Sequence, residues 1–267
     1  MATPRWQWFS SNPDKAWAER FFVAQSPLWM IAVALAMFTG WMQSWSELGY
    51  LLFGCATMLP AVLGPPLLRP SARVRLASQY WVQLNVWVAV LVVFGSYFGT
   101  HYFFDLMGMT YAFPVRWTFN AEVVGRTPGA VPVFMYPLTH AYFVTYYVGM
   151  GVAWRGLRAG LSLGPLGTLL ALLLVCYATA FAETFFMAND ALAHAFGYAD
   201  RSRMLWLGSW GYATYFLIGL PMVARLGEDQ DGKTTPRTLR QVIVEALATC
   251  MLILCALELW AKLIGPL

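Results

Sequence analysis

Seven stretches of this chain are long, apolar and nearly free of charge: residues 27–45, 48–68, 80–104, 131–154, 166–187, 205–224 and 242–264. Each is near the ~20 residues that cross a hydrocarbon core as a helix. A bilayer core holds no water to pair with backbone N–H and C=O groups, so such stretches are expected to be helical. The chain is 59% hydrophobic and 11% charged, where a soluble domain carries roughly 25% charged residues. The expected fold is an all-α, polytopic helical membrane bundle with about seven transmembrane helices. Residues 1–26 are read as an N-terminal interfacial segment and 27–267 as a single transmembrane helical domain. Pro60, Pro65 and Pro66 are expected to bend or shorten the second span.

Loop charges set the orientation. Arg5, Lys15, Arg20, Arg69, Arg73, Arg75, Arg155, Arg158, Arg225, Lys233, Arg237 and Arg240 fall on the N-terminal side of this layout. Arg116, Arg126, Arg201, Arg203 and Lys262 fall on the other side. This excess predicts a cytoplasmic N-terminus and a C-terminus across the membrane. A short helix over 13–22, capped by Asn12 and begun by Pro13, is expected to turn Trp17, Phe21 and Phe22 to the headgroups beside Lys15 and Arg20. The net charge of +4 is scattered, with no basic stripe interleaved with exposed aromatics, so nucleic acid is not an expected partner. Cys55, Cys176, Cys250 and Cys255 lie in apolar runs without a CxxC pair and read as small buried hydrophobes. The polar segment 227–236 reads as a cytoplasmic turn. The long connection 106–130 carries Tyr111, Phe113, Trp117 and Phe119. It reads as an interfacial aromatic loop or as a lid over a cavity.

A charged side chain near the bilayer centre costs at least ~2.5–3.5 kcal/mol, so the ionisable groups inside spans are the informative ones. Tyr97, His101 and Asp105 are four apart and share a helix face. Glu183 and Asp190, seven apart, share another. The third, fourth and fifth spans are expected to surround one pocket holding His101, His140 and Glu183. Glycines in GSYFG (Gly95–Gly99) predict close packing of the third span on a neighbour. Glu183 sits within the apolar run YATAFAETFFMAN. A carboxyl in dry surroundings keeps its proton and can donate it; the structural alternative is a pair with His or Arg from another span. His101 and His140 either tune that carboxyl or cap helix ends. Glu258 with Lys262, and Glu245 near a helix start, read as structural. His194 reads as a solvated loop residue. The chain has 3 histidines, too few for a histidine-rich metal centre, and no P-loop or dinucleotide fingerprint, so neither metal nor cofactor is expected.

The stretch YFGTHYFFDLMGMTYAFP at 97–114 closely resembles the matching stretch of the cycloeucalenol cycloisomerases, the cyclopropyl-sterol isomerases of plants. PLTH at 137–140, Glu183 and Thr184 with Ala188 and Asn189 downstream, and ADRSRM at 199–204 are also similar. So are NPDKAWAERFF at 12–22 and YWVQLNVW at 80–87. The resemblance runs over most of the chain at roughly constant spacing. It implies an isomerase that opens the 9β,19-cyclopropane ring of a sterol and leaves a double bond between C8 and C9. Acid protonates C19, a cation develops at C9, and a base removes the proton at C8, with no redox cofactor. Glu183 is then the foremost acid, with His140 and His101 to tune or reprotonate it. Asp105 ranks behind it, because the family pattern carries a basic residue there. Tyr97, Tyr136 and Trp206 are chosen as electron-rich walls for the cation. Asn189 is placed with the substrate contacts. Asp200 and Arg201, which match the family pattern, form a loop ion pair or meet the sterol hydroxyl.

Two readings compete with this one: a sterol double-bond isomerase of the emopamil-binding kind, and a sterol-binding or transport protein without chemistry. The expected partners are a sterol entering from the bilayer and the membrane lipids. The preference for Arg over Lys hints at a bacterial source, so the membrane is a bacterial inner membrane or the endoplasmic reticulum.

Overall fold

The computed structural model describes residues 6–69, 75–228 and 237–267. Arg5, Arg73, Lys233 and most of the 227–236 turn lie outside the described residues. The chain is almost wholly helical. Five helices are long and apolar enough to cross a membrane: α1 (Pro13–Phe38), α2 (Glu47–Leu68), α3 (Tyr80–Met107), α5 (Pro165–Met187) and α7 (Leu239–Leu263). Two further helices, α4 (Met135–Gly160) and α6 (Ser209–Ala224), complete the bundle. α4 is the more polar and lies in the interior, while α6 is short, 16 residues. α4 packs against α1, α2, α3, α5 and α6, and α6 against α4, α5 and α7. The lipid-facing helices show the opposite bias. Leu166, Leu170 and Leu174 form an exposed stripe along α5, a surface that water would not tolerate but acyl chains do.

Local signals start and stop these helices. Asn12 caps α1, its Oδ1 accepting from Asp14 N at 2.9 Å, and Pro13 takes the first helical position. Thr238 and Gln241 form a capping box on α7. Gly108, at φ 59°, ends α3 in the left-handed region where glycine is favoured. α2 runs through Pro60, Pro65 and Pro66 to Leu68 without ending at any of them.

The first helix departs from the expected layout. It is continuous from Pro13 through Pro27 to Phe38, so residue 26 falls inside it. Pro27 does not break it, and beside it Ser26 Oγ donates to Phe22 O at 2.6 Å and meets Thr145 Oγ1 of α4 at 2.9 Å. The helix stops seven residues before the expected Trp45. There Gly40 turns left-handed and a 3₁₀ turn, Trp41–Ser44, follows. Phe22 is buried in the core rather than turned to headgroups.

Lys15 is only 1% exposed. Its Nζ donates to Ala224 O at 2.7 Å and Leu226 O at 3.0 Å and lies 3.7 Å from Glu228. Those carbonyls are the unpaired acceptors at the C-terminal end of α6, where a cation is favoured. Glu19 pairs bidentately with Arg155 of α4, at 2.8 and 3.0 Å, and accepts from Ser10 N at 2.9 Å. One polar knot thus ties α1 to α4 and α6. Glu258 is hydrogen-bonded by Tyr102 of α3 at 2.7 Å, and Glu245 pairs with Arg237 at 2.9 Å. No ion pair joins Glu258 to Lys262 among the described residues.

A short antiparallel ribbon adds the only named strands among the described residues. β1 (Met109–Tyr111) pairs with β2 (Phe196–Tyr198), Met109 opposite Tyr198 and Tyr111 opposite Phe196. The ribbon joins the end of α3 to the segment that leads into α6. Within α3, Gly95–Gly99 is a π-helical turn. Any side chain on Gly99 would collide with the Tyr215 hydroxyl of α6, the close approach its glycines predict.

Lys15→Met keeps the aliphatic stem and removes the charge. Breaking a buried pair costs roughly 3–5 kcal/mol, so the variant should melt at clearly lower temperature in detergent. An unchanged melting temperature would show that the knot contributes nothing.

Candidate active site

The bundle encloses one large cavity, about 1100 Å³ counted to its mouth. It lies at the end of the bundle that carries the β ribbon. Val33 and Met37 of α1, Leu91 and Val92 of α3, Leu138 and Tyr142 of α4, and Phe103 supply much of the apolar wall. Tyr111, Phe113 and Val131 close it from above. The connection after α3 therefore roofs the cavity, the lid reading of that segment. The π turn in α3 presents Gly95 and Ser96 to the cavity, with Thr100 one turn on.

Glu183, on α5, is the one acidic or basic side chain among the lining residues. It forms no ion pair among the described residues. Its carboxylate is held by neutral donors. Tyr212 of α6 donates its hydroxyl to Glu183 Oε2, and Tyr146 of α4 is a second hydrogen-bonding neighbour. Tyr142 lines the cavity next to this group, with a buried hydroxyl that has no partner among the described residues. Tyr111 and Tyr198, on the ribbon outside the spans, also line the cavity. Burial first, and then the Glu183 charge, holds both phenols above the ordinary tyrosine range. They are neutral O–H groups that can donate but cannot act as bases at neutral pH.

Aromatic faces surround the acid. Phe103 meets Tyr212 edge to face at 5.2 Å between ring centroids, and Tyr212 lies 5.1 Å from Phe216. Phe143 and Tyr215 continue the wall. A carboxyl in such a setting can give and take a proton, and the ring faces beside it suit positive charge.

The other residues expected at the site go elsewhere. His140 is buried among α2, α3 and α4, where its Nε2 meets Asn85 Oδ1 at 2.8 Å; Asn85 Nδ2 donates to Ala61 O and Trp81 O. It ties three helices and does not line the cavity. His101 is also buried outside the cavity lining. It packs edge-on to Phe104 and against Gly125, whose φ of 100° is open to glycine. Asp105 accepts from Arg126 N and Thr127 N, both at 2.7 Å. Glu47 of α2 does the same for Arg116 N and Trp117 N, at 2.6 and 3.0 Å. These two carboxylates fasten the lid.

Tyr97 and Tyr136 sandwich Phe119 of the lid, and Tyr136 donates to Phe119 O at 2.6 Å. Trp206 is 65% exposed and rests on Phe181. Asn189 turns the chain after α5, accepting from Ala191 N at 2.9 Å. Asp200 accepts from Arg203 N at 2.9 Å as a helix cap. Arg201 bonds Ala188 O and lies over the Phe185 ring. No ion pair joins Asp200 to Arg201 among the described residues. Both side chains are occupied by local backbone groups. Of the expected set, the cavity takes Glu183 alone.

What sequence reading missed is the tyrosine shell. Its signal was present: Tyr142 and Tyr146 are four apart on α4, and Tyr212 and Tyr215 three apart on α6, each pair on one helix face. Nothing local showed that both faces meet Glu183.

The lid fastening can be tested alone. Asp105→Ala frees two backbone amides beside Arg126, so trypsin should cut after Arg126 several-fold faster in proteoliposomes, with the helices intact. Equal cleavage of variant and parent would remove Asp105 from that role.

Comparison with known proteins bears on what this cavity serves. No family model matches the chain, and no solved structure matches it. A relative from Arabidopsis thaliana, cycloeucalenol cycloisomerase, is 33% identical over 268 residues, which cover 97% of this chain and 90% of that protein. Similarity of that extent, end to end, shows that this chain belongs to the cycloeucalenol cycloisomerase family.

Proposed function

We propose that the chain is a cyclopropyl-sterol isomerase that opens the 9β,19-cyclopropane ring of a cycloeucalenol-type sterol to a Δ8 sterol. The observation that carries this reading is a single carboxyl, Glu183, facing a mainly apolar and aromatic chamber with no ion-pair partner among the described residues. The chamber is lined mainly by apolar and aromatic side chains. A rigid, flat hydrocarbon suits it.

The steps are those the resemblance implies, with Glu183 assigned the proton transfers. Protonated Glu183 gives its proton to C19 as the C9–C19 bond breaks, and that bond's electrons form the new C19–H bond. C9 becomes electron-deficient between ring faces such as Phe103, Phe143 and Tyr142. A cation over such faces gains up to about 2 kcal/mol each when desolvated, and none of them is a nucleophile that would trap it. The Glu183 carboxylate, steadied by hydroxyl donation from Tyr212, then takes the proton from C8. The C8–H electrons form the C8–C9 double bond. One proton enters and one leaves, so the acid is regenerated and no redox partner is needed. Both exchanges lie on the β face of the sterol, within reach of one carboxyl.

In this reading seven helices span the membrane, α4 and α6 among them, with the N-terminus cytoplasmic as the distribution of Arg and Lys favours. The sterol arrives sideways from the lipid of a bacterial inner membrane or an endoplasmic reticulum.

Expression in a sterol-free host fed a cyclopropyl sterol tests the reaction. A Δ8 product by mass spectrometry and NMR is expected; recovery of the intact ring would overturn it. Glu183→Gln should lower turnover by roughly 10²–10⁴-fold, the usual range for a positioned acid–base group, with sterol binding largely kept. Undiminished turnover would remove Glu183 from the mechanism. Tyr212→Phe deletes one charge-assisted hydrogen bond and should slow turnover roughly 10- to 100-fold.

A further inference from the structure

Short hydroxyls inside the helices of this chain are mostly engaged. Ser26, Thr57, Thr179, Thr214 and Thr249 each donate back to a carbonyl of their own preceding turn, at 2.6–2.9 Å. Ser96 of α3 and Thr139 of α4 do not. Both line the main cavity, and neither has a hydrogen-bond partner among the described residues. Packing does not close off their oxygens. Ser96 is otherwise buried, at 7% exposed, so the chamber is what its hydroxyl faces.

The two residues stand at one level of the bundle. Tyr97, next to Ser96, and Tyr136, one turn before Thr139, hold Phe119 between them. Ser96 belongs to the π turn of α3, a distortion common at functional sites. Other polar groups of the lining differ from this pair. Thr100 Oγ1 donates to Gly95 O at 3.5 Å. Tyr142, one turn beyond Thr139, also lacks a partner, but its oxygen is enclosed by packing.

A sterol carries a lone hydroxyl at C3. In a 9β,19-cyclopropyl sterol, C19 is attached to C10, at the opposite corner of the same six-membered ring. Whatever binds the hydroxyl must therefore be a near neighbour of the acid, within the same chamber. The register of α4 meets that requirement. Tyr146, a hydrogen-bonding neighbour of Glu183, follows Thr139 by seven residues, about 10 Å along the helix axis. One ring, with a hydrogen bond of ~2.8 Å at its hydroxyl end and the carboxyl in contact at the other, spans a gap of that order. We propose that Ser96 and Thr139 bind the 3-hydroxyl of the sterol. This proposal rests on the cyclopropyl-sterol reading and adds to it the groups that recognise the polar end of the substrate. Each hydroxyl both donates and accepts, so the pair can serve the proton and a lone pair of the sterol O–H. A guest without that hydroxyl would leave both unpaired, which is unfavourable. Ser96 and Thr139 are specificity residues and do not touch the reacting carbons.

The test compares a 3β-hydroxy cyclopropyl sterol with its 3-deoxy analogue, using full-length protein in nanodiscs. The ratio of kcat/KM for the two sterols is measured in the parent and in the Ser96→Ala, Thr139→Val double variant. Comparing ratios between proteins cancels the unequal partitioning of the two sterols into lipid. The preference for the hydroxy sterol should fall about 10-fold in the variant, the loss of two hydrogen bonds, and the change should lie in KM. Valine keeps the shape of Thr139 and alanine removes one atom from Ser96, so the variant is expected to fold. Equal use of the two sterols by the parent would overturn the proposal without any variant. So would an unchanged preference in the double variant, or a preference lost in Tyr142→Phe, Tyr111→Phe or Tyr198→Phe in its place; each of these leaves the isomerase reading intact. Binding of both sterols to Glu183→Gln protein, with and without the two substitutions, reads the same preference without turnover. If the parent opens no cyclopropane ring, the isomerase reading fails, while a hydroxyl preference in binding that vanishes with Ser96 and Thr139 still supports their assignment. Absence of that preference overturns it.

Discussion

Hydrocarbon around a helix bundle offers nothing to an unpaired polar group, so each charged side chain of this chain needs a partner, a loop, or a cavity. Lys15, Glu19 and Arg155 found one another and the open end of α6. Asp105 and Glu47 found lid amides. Glu183 found neutral phenols at the wall of a mainly apolar and aromatic chamber. That last solution differs in kind: a neutral hydroxyl satisfies a carboxyl oxygen by a hydrogen bond and brings no opposite charge with it.

The lid is built from the same materials. Two carboxylates on different helices each bind a pair of successive backbone N–H groups, a strong arrangement because the acceptor is charged. Together they hold the connection after α3 over the chamber, where Tyr111, Phe113 and Val131 close it. The β ribbon locks one end of that connection to the segment leading into α6. Chamber and roof are thus coupled through short local contacts, and Glu183 sits on the long helix α5.

Several expectations drawn from spacing alone met a different outcome in the fold, and the reasons are physical. Helical periodicity puts Tyr97, His101 and Asp105 on one face, but it does not say what that face meets. Here it meets the lid, and a π turn at Gly95–Gly99 shifts the register between the upstream helix and that face. His140 lies in a motif shared with the family, yet its imidazole is engaged by Asn85 in the helix core. Lys15 reads, beside Arg20, as a headgroup neighbour in a short amphipathic helix. It is interior instead, because its Nζ is held by the carbonyls at the end of α6. Tyr212 and Tyr146 stand at helical spacing from Tyr215 and Tyr142, but a tyrosine in an aromatic-rich membrane chain is unremarkable until its hydroxyl has an address.

The amino-acid sequence by itself determined the class of the molecule, its helical runs, the unusual standing of Glu183, and the family it resembles. Each of these depends on composition, local periodicity or residue identity, which are written along the chain. Only the tertiary structure decided which helices are interior, and that Glu183 meets tyrosines and not histidines. Those facts depend on which faces of separate helices meet. Packing of side chains across helices settles that, and no spacing within a single helix records it.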